Sequence, residues 1–311
     1  MTVAALPRTW PGRHLLDVDG LSRAEVETCL GLAAEMREWR ERGEHPEPLR
    51  KETVALAFYE GSTRTRVSFE LAARAVGFNV VDLSIAGSSV AKGESLVDTL
   101  RTLQRTGVTI CVLRHPASGA PHLAARETRL RIVNAGDGTH AHPTQALIDA
   151  LTLRDALGAL DGRKVAIVGD IVHSRVARSN LHLLPLLGTD VWLSGPPAFV
   201  RGFEDWPGVR VAGIEDALFE ADAVMTLRIQ LEREAGGGVP SLREYTWRWG
   251  LNSERMLLAK PDAPVLHPGP TNEGVEISAD LAANERSLIG RQVENGVAVR
   301  MAVLALVAGA A

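Results

Sequence analysis

The chain has 311 residues, enough for two compact domains at roughly 100–200 residues each. Apolar residues make up 45% and charged residues 23%, which excludes global disorder, and 34 Lys and Arg against 38 Asp and Glu leave a net charge of −4, with none of the basic excess of a nucleic-acid binder. The two cysteines, Cys29 and Cys111, have no paired spacing, so a disulfide framework and a cysteine zinc site are excluded and a reducing cytoplasm is expected.

Strand-like and helix-like segments alternate along most of the chain. Helix is expected over Ser22–Arg42, followed by a strand at Thr53–Tyr59, a helix at Thr65–Val76 and a strand at Asn79–Ile85. Helix Glu94–Arg105, strands Val108–Leu113 and Arg131–Ala135, and a long helix Pro143–Leu157 complete the first half. Strand Lys164–Val168, helix Arg175–Leu187 and strands Asp190–Leu193, Asp222–Leu227 and Ala263–Leu266 follow. Several strands are nearly continuous in Val, Ile, Leu and Ala, as expected where helices cover both faces of a sheet. The fold class is therefore α/β, with two domains, each a parallel sheet flanked by helices. Leu157–Arg163 reads as the break, giving domains 1–155 and 156–290, with a C-terminal helix over 291–311 returning to the first domain.

Met1–Leu16 has no apolar core of signal-peptide length, and the run Met301–Ala308 is less than half of the ~20 residues that a membrane span needs. It reads as a buried terminal helix in a cytoplasmic protein with no membrane partner. Arg233–Arg243, with Gly236, Gly237, Gly238 and Pro240, reads as a long mobile loop.

The densest chemistry lies in Phe58-Tyr59-Glu60-Gly61-Ser62-Thr63-Arg64-Thr65-Arg66. A strand ends near Tyr59, a glycine turn follows, and a helix starts at Thr63 or Thr65. Free N–H groups and the positive dipole end make such a start an anion site. The hydroxyls of Ser62, Thr63 and Thr65 and the guanidinium groups of Arg64 and Arg66 add donors suited to phosphate oxygens. The Gly-Lys of a Walker loop is absent. Arg114-His115-Pro116 follows the third strand, His142-Pro143-Thr144-Gln145 opens the long helix, and His267-Pro268-Gly269-Pro270 follows a late strand. In parallel sheets these positions share the ligand-binding edge.

These four segments, in this order and spanning most of the chain, resemble the aspartate and ornithine carbamoyltransferase family. The resemblance implies that Ser62, Thr63, Arg64, Thr65 and Arg114 hold the phosphate of carbamoyl phosphate. It implies that Thr65, Arg114 and His142 polarise the carbonyl oxygen. Gln145 and the Pro268 carbonyl would grip the carbamoyl amide, with Gly269 and Pro270 completing that wall. It also implies that a serine and a lysine of the loop Ala86–Glu94 reach a neighbouring subunit's site. Ser88, or Ser89 beside it, and Lys92 take those roles, which makes the enzyme a homotrimer with shared sites. Assembly with regulatory or dihydroorotase-like chains is compatible with that reading.

The acceptor amine is read from the second half. Arg175, in Gly169-Asp170-Ile171-Val172-His173-Ser174-Arg175, and Arg228 and Gln230, in Leu227-Arg228-Ile229-Gln230, resemble positions where the family's aspartate-specific branch binds its amino acid. Two planar guanidinium groups suit two carboxylates, and Lys92 would also contact aspartate. The ornithine branch instead has Ser-Met-Gly near the Arg228 position and a cysteine after the late histidine. This chain has neither, and paired arginines would repel a cationic side chain. One departure is Glu273, where many relatives carry arginine.

The implied reaction is carbamoyl transfer to the α-amino group of L-aspartate, the committed step of pyrimidine nucleotide synthesis. It needs no cofactor and no metal, with orientation and electrostatic preorganisation supplying the rate. Closure over both substrates would involve the Gly236 loop. Two competing readings are a dinucleotide-dependent oxidoreductase, suggested by Val165-Ala166-Ile167-Val168-Gly169-Asp170, and a silent scaffold subunit. The first lacks Gly-x-Gly-x-x-Gly and an acid closing the Asp190–Leu193 strand, and the second should have lost motif residues.

Overall fold

The computed structural model describes residues 14–43, 52–83, 93–229 and 241–309. The chain forms two compact units, Met1–Ile148 with Val293–Ala311, and Asp149–Gln292.

In the first unit, strands β1 (Thr53–Phe58), β3 (Ile110–His115) and β4 (Arg131–Asp137) are mostly or wholly buried, while β2 (Asn79–Leu83) mixes polar and apolar residues and has no buried side chain. The sheet order is β2-β1-β3-β4, all parallel. The exposed β2 takes one edge, and at the other the Leu15 backbone pairs alongside the buried β4. Helices α1 (Arg23–Glu41), α2 (Thr63–Ala75), α3 (Leu96–Arg105) and α4 (Ala120–Glu127) accompany them. Ser22 opens α1 with a reciprocal capping box to Glu25. At the base of the sheet Arg131 forms a buried ion pair with Glu52, and its Nη1 donates to the Ala308 carbonyl at 3.0 Å.

Ala308 belongs to the terminal helix α11 (Ile289–Gly309). Its length and mean hydropathy would suffice to cross a membrane, but 83% of the apolar window is buried. The helix begins two residues before the expected start at 291, and polar residues such as Arg300 and Asn295 are buried with its apolar run. Arg37 donates to Asn295 Oδ1 at 2.7 Å, tying α1 to α11.

The second unit has the parallel order β7-β6-β5-β8-β9, with β5 (Lys164–Val168), β6 (Asp190–Ser194), β7 (Val209–Val211), β8 (Ala223–Thr226) and β9 (Val265–Leu266). Helix α5 (Pro143–Leu157) leads into it, and α6 (Arg175–Leu186) follows β5. Strand β7 and the short helices α4, α7 (Pro197–Val200), α8 (Ile214–Leu218) and α10 (Ala279–Ala283) lie outside the sequence expectations, being too short to show a period. Helix α9 (Leu242–Trp249) corrects another expectation. Leu242 and Arg243, read as the end of a loop, are helical, and the Ser241 hydroxyl accepts the Glu244 N–H at 3.0 Å. The rest of that loop, 230–240, lies outside the described residues.

In both sheets the order reverses beside the first strand, between β1 and β3 and between β5 and β8. Loops leaving two such strands diverge and open a crevice at their C-terminal ends. The predicted anion segment and Arg114 flank one reversal, and Arg175 and Arg228 follow the strands of the other.

Asp222 ties β5 to β8 from the opposite end of the strands. It accepts from Arg163 Nη1 at 2.9 Å, Lys260 Nζ at 2.8 Å and the Lys164 N–H at 2.9 Å. Burial opposes its ionisation, but these donors outweigh burial and hold the carboxyl below its ordinary range. A folded-state value below the unfolded one stabilises above the unfolded value, and the contribution fades as pH falls through the folded value. Asp222→Asn should therefore cost about 2 kcal/mol at neutral pH. In urea melts its difference from wild type should shrink below about pH 4.

Candidate active site

In the first unit β1 stops at Phe58, and α2 begins at Thr63. Ser62 caps the helix, its hydroxyl accepting the Thr65 N–H at 3.4 Å. Thr63 and Arg64 are exposed, Ser62 is half-buried and Thr65 is buried, so the segment presents side chains over a fixed helix start.

Arg114 is the penultimate residue of β3 and pairs in register with Phe58, whereas the sequence placed it after the strand. The extension follows from pairing: the Tyr59 N–H donates to the Arg114 carbonyl at 2.9 Å, continuing the β1–β3 ladder. The guanidinium of Arg114 is thereby anchored beside the turn that carries Ser62. Its Nη2 contacts Glu60 Oε1 at 3.0 Å, and its Nη1 donates to the Ala135 carbonyl at 3.4 Å. Arg66, expected to offer a second guanidinium to an anion, instead pairs with Asp82 on β2. That pair ties the start of α2 to the edge strand β2.

Arg300 is the residue that sequence reasoning passed over. It is buried on α11, donates to Ser68 Oγ at 2.7 Å and to the Gly296 carbonyl at 3.3 Å, and lies over the Phe69 ring at 5.0 Å. Its Nε has no hydrogen-bond partner among the described residues. Burial first, and then the like charge of Arg114, push its guanidinium down to about 9. A lone arginine inside the apolar stretch Val297–Val303 was the available signal, because a buried charge there demands a reason.

His142 precedes α5 and is 5% exposed; its carbonyl accepts the Gln145 N–H at 2.9 Å and the Ala146 N–H at 3.3 Å. Pro143 fills the first helical position, where no N–H is needed. Gln145 is also buried, one turn on. The approach to His142 is a tight turn: the Asp137 N–H donates to the Ala141 carbonyl at 3.1 Å, and the Gly138 N–H donates to the His115 carbonyl at 3.0 Å. Gly138 has φ +45°, and a Cβ there would stand 2.7 Å from the Ser118 backbone nitrogen. Only glycine fits.

In the second unit Arg175 opens α6 and is 6% exposed, with Ser174 capping the helix by accepting the Ala177 N–H at 3.1 Å. Arg228 follows β8 and is half-buried. Val168 pairs with Thr226, and Met225 pairs with Leu266, so the segments of Arg175, Arg228 and Pro268 leave neighbouring strand ends. After β9, Gly269 has φ +63° and its N–H donates to His267 Nδ1 at 2.8 Å. Nδ1 must then be the bare nitrogen of a neutral imidazole, leaving the Nε2–H to donate to Glu276 Oε1 at 3.2 Å. Pro270, joined by a cis peptide, is exposed. Glu273 is exposed, and the buried acid of this segment is Glu276. Ser88, Ser89, Lys92 and Gln230 lie outside the described residues.

In each unit, guanidinium groups, helix starts and buried polar side chains thus stand at the C-terminal ends of parallel strands, the arrangement of an α/β transferase for anionic substrates. The family profile described as the carbamoyl-P binding domain of aspartate/ornithine carbamoyltransferase matches residues 13–155, and the one described as the Asp/Orn binding domain matches residues 161–307. The chain belongs to the aspartate/ornithine carbamoyltransferase family. The aspartate carbamoyltransferase catalytic subunit of Thermus aquaticus is 54% identical over 94% of this chain and 97% of its own length. That of Sorangium cellulosum is 52% identical over 98% and 95%. Among solved structures, aspartate transcarbamoylase from Trypanosoma cruzi in complex with N-(phosphonacetyl)-L-aspartic acid matches with a TM-score of 0.85 at 32% identity, over 98% of this chain and 97% of that one. Ornithine carbamoyltransferase from Pyrococcus furiosus also reaches 0.85, at 27% identity over 98% of each chain. Fold alone therefore does not separate the two acceptors.

Gly138→Ala should lower stability by about 1–3 kcal/mol through left-handed strain and the Ser118 clash. Because that turn leads into His142, turnover should fall at least tenfold in the protein that still folds, measured alongside its thermal midpoint.

Proposed function

We propose that this chain is a catalytic subunit that transfers the carbamoyl group of carbamoyl phosphate to the α-amino group of L-aspartate, giving N-carbamoyl-L-aspartate and phosphate, the committed step of pyrimidine nucleotide synthesis. The observation that carries this reading is identity of 52–54% with aspartate carbamoyltransferase catalytic subunits over nearly the whole chain, against 27% with an ornithine enzyme of equal fold similarity. The positions of Arg175 and Arg228 beyond adjoining strands support it, since two guanidinium groups suit the two carboxylates of aspartate.

In this reading Ser62, Thr63, Arg64 and Thr65 hold the phosphate at the start of α2, where the helix dipole adds to their donors. Arg114 leaves Glu60 for the ligand's oxygens, an exchange of one anion for another. Thr65, Arg114 and His142 face the carbonyl oxygen and stabilise the charge it gains on attack; one such donor generally contributes ~3–4 kcal/mol to the barrier. Gln145 and the Pro268 carbonyl orient the carbamoyl amide, with Gly269 and Pro270 beside it. Arg175, Arg228, Gln230 and Lys92 bind aspartate. The neutral amine attacks the carbonyl carbon, the C–O bond to phosphate breaks from a tetrahedral species, and a phosphate oxygen takes the amine proton. Ser88 and Lys92 act on an adjacent subunit's site, so the working form is a homotrimer, located in the cytoplasm.

An assay with purified protein should yield carbamoyl aspartate from the two substrates and no product when ornithine replaces aspartate; absence of carbamoyl aspartate would refute the reading. Arg64→Ala and Lys92→Ala should each cut turnover by roughly 10² or more while leaving the fold intact. If sites are shared, mixing the two inactive variants under conditions that exchange subunits should restore part of the activity. Mixtures that stay inactive after proven exchange would count against the shared site.

A further inference from the structure

The loop after β9 has few ways to be held. Strand β9 is two residues long, and Pro268 and Pro270 have no N–H to donate. Three of its remaining donors turn inward onto side chains. The His267 N–H donates to Gln292 Oε1 at 2.9 Å, the Gly269 N–H to His267 Nδ1 at 2.8 Å, and the Asn272 N–H to Glu276 Oε1. Gln292, in the first turn of α11, passes the connection on: its Nε2 donates to Asp149 Oδ1 at 2.8 Å. Asp149, on α5, also accepts from Asn180 Nδ2 of α6 at 2.8 Å. Gln292 is 4% exposed, His267 1%, and Asp149, Asn180 and Glu276 are wholly buried.

We infer that Gln292 is a positioning residue for carbamoyl transfer: its amide, oriented by Asp149 and Asn180, fixes the Leu266–His267 peptide, and the His267 ring, by accepting the Gly269 N–H, in turn fixes the Pro268–Gly269 peptide that carries the Pro268 carbonyl. The inference rests on the proposed function and refines it. The geometry is one-way. Asp149 accepts, so Gln292 must present its NH₂ to α5 and its oxygen to the loop; a flipped amide would set oxygen against carboxylate and nitrogen against the His267 N–H. With the amide so oriented and His267 in its Nε2–H form, each N–H from His267 to Gly269 is satisfied inside the unit. A carbonyl placed by such a chain is preorganised, and a displacement of about 1 Å there can cost up to 10²-fold in rate.

The test compares two ligands that share a phosphate and differ in the carbamoyl amide. Gln292→Met keeps bulk but removes both hydrogen bonds, and wild-type turnover in the same assay tests the functional reading separately. The variant should raise the KM for carbamoyl phosphate at least tenfold and lower kcat, while inorganic phosphate, read as a competitive inhibitor, keeps its inhibition constant within twofold. An unchanged KM and kcat for carbamoyl phosphate would overturn the inference, as would equal losses for both ligands, which mark a general disturbance of the fold. Should Gln292→Met fail to fold, Asn180→Ala decides. It leaves Gln292 in place but loosens Asp149, and should raise the carbamoyl phosphate KM about threefold with phosphate inhibition unchanged; an unaltered KM there would overturn the inference equally.

Discussion

Positive charge held close together is the constraint on which the first unit is built. Arg114, the start of α2 and the buried Arg300 all contribute to one region. Unneutralised, such charge would favour unfolding, since neighbouring like charges repel and a guanidinium without solvent pays a desolvation cost. Glu60 answers the first term by meeting Arg114 at 3.0 Å. Ser68 Oγ, the Gly296 carbonyl and the Phe69 ring answer part of the second for Arg300. Glu60, Ser68, the Gly296 carbonyl and the Phe69 ring thus share the work of accommodating two arginines in one region.

The second unit solves a different problem, that of aiming neutral groups. Its loop after β9 carries a histidine in a defined tautomer, a buried glutamate and a glutamine whose two ends cannot be exchanged. None of these needs to touch a substrate to matter. Buried hydrogen-bond chains restrict the backbone they terminate on, because each unsatisfied member costs about 1–3 kcal/mol. The edge strand β9, with two residues, could not impose that restriction by ladder pairing alone.

Periodicity and composition suffice to read the strands β1, β4, β5 and β8, since a run such as Thr53-Val54-Ala55-Leu56-Ala57-Phe58 has no competing use in an α/β chain. Helix α5 is legible at both ends for a similar reason: Pro143 starts it and the glycine after Leu157 stops it. Strand β7, by contrast, is three residues and has no period to detect. The C-terminal limit of β3 also escapes sequence, because Arg114 and His115 are poor strand residues kept in the ladder by pairing with β1 and β4. For the site, motif residues such as Ser62, Arg64 and His142 stand out by type and spacing, and Arg300 only by its apolar neighbours. Glu60 and Gln292 do not, since each resembles an ordinary polar residue until its partners are known.

What the amino-acid order determined by itself was the class of fold, the strand-to-helix turn that carries the Ser62–Arg66 motif, and the family, because these depend on local pattern and on motifs whose residues lie close in the chain. The tertiary structure alone decided which acid each of these charges meets. Arg66 and Arg114 are equivalent as sequence, yet one pairs with Asp82 on an edge strand and the other lies at a switch point beside Glu60. Gln292 and Asp149 are separated by nearly half the chain and meet through one hydrogen bond. Such partnerships arise from packing between distant segments, and no local pattern encodes them.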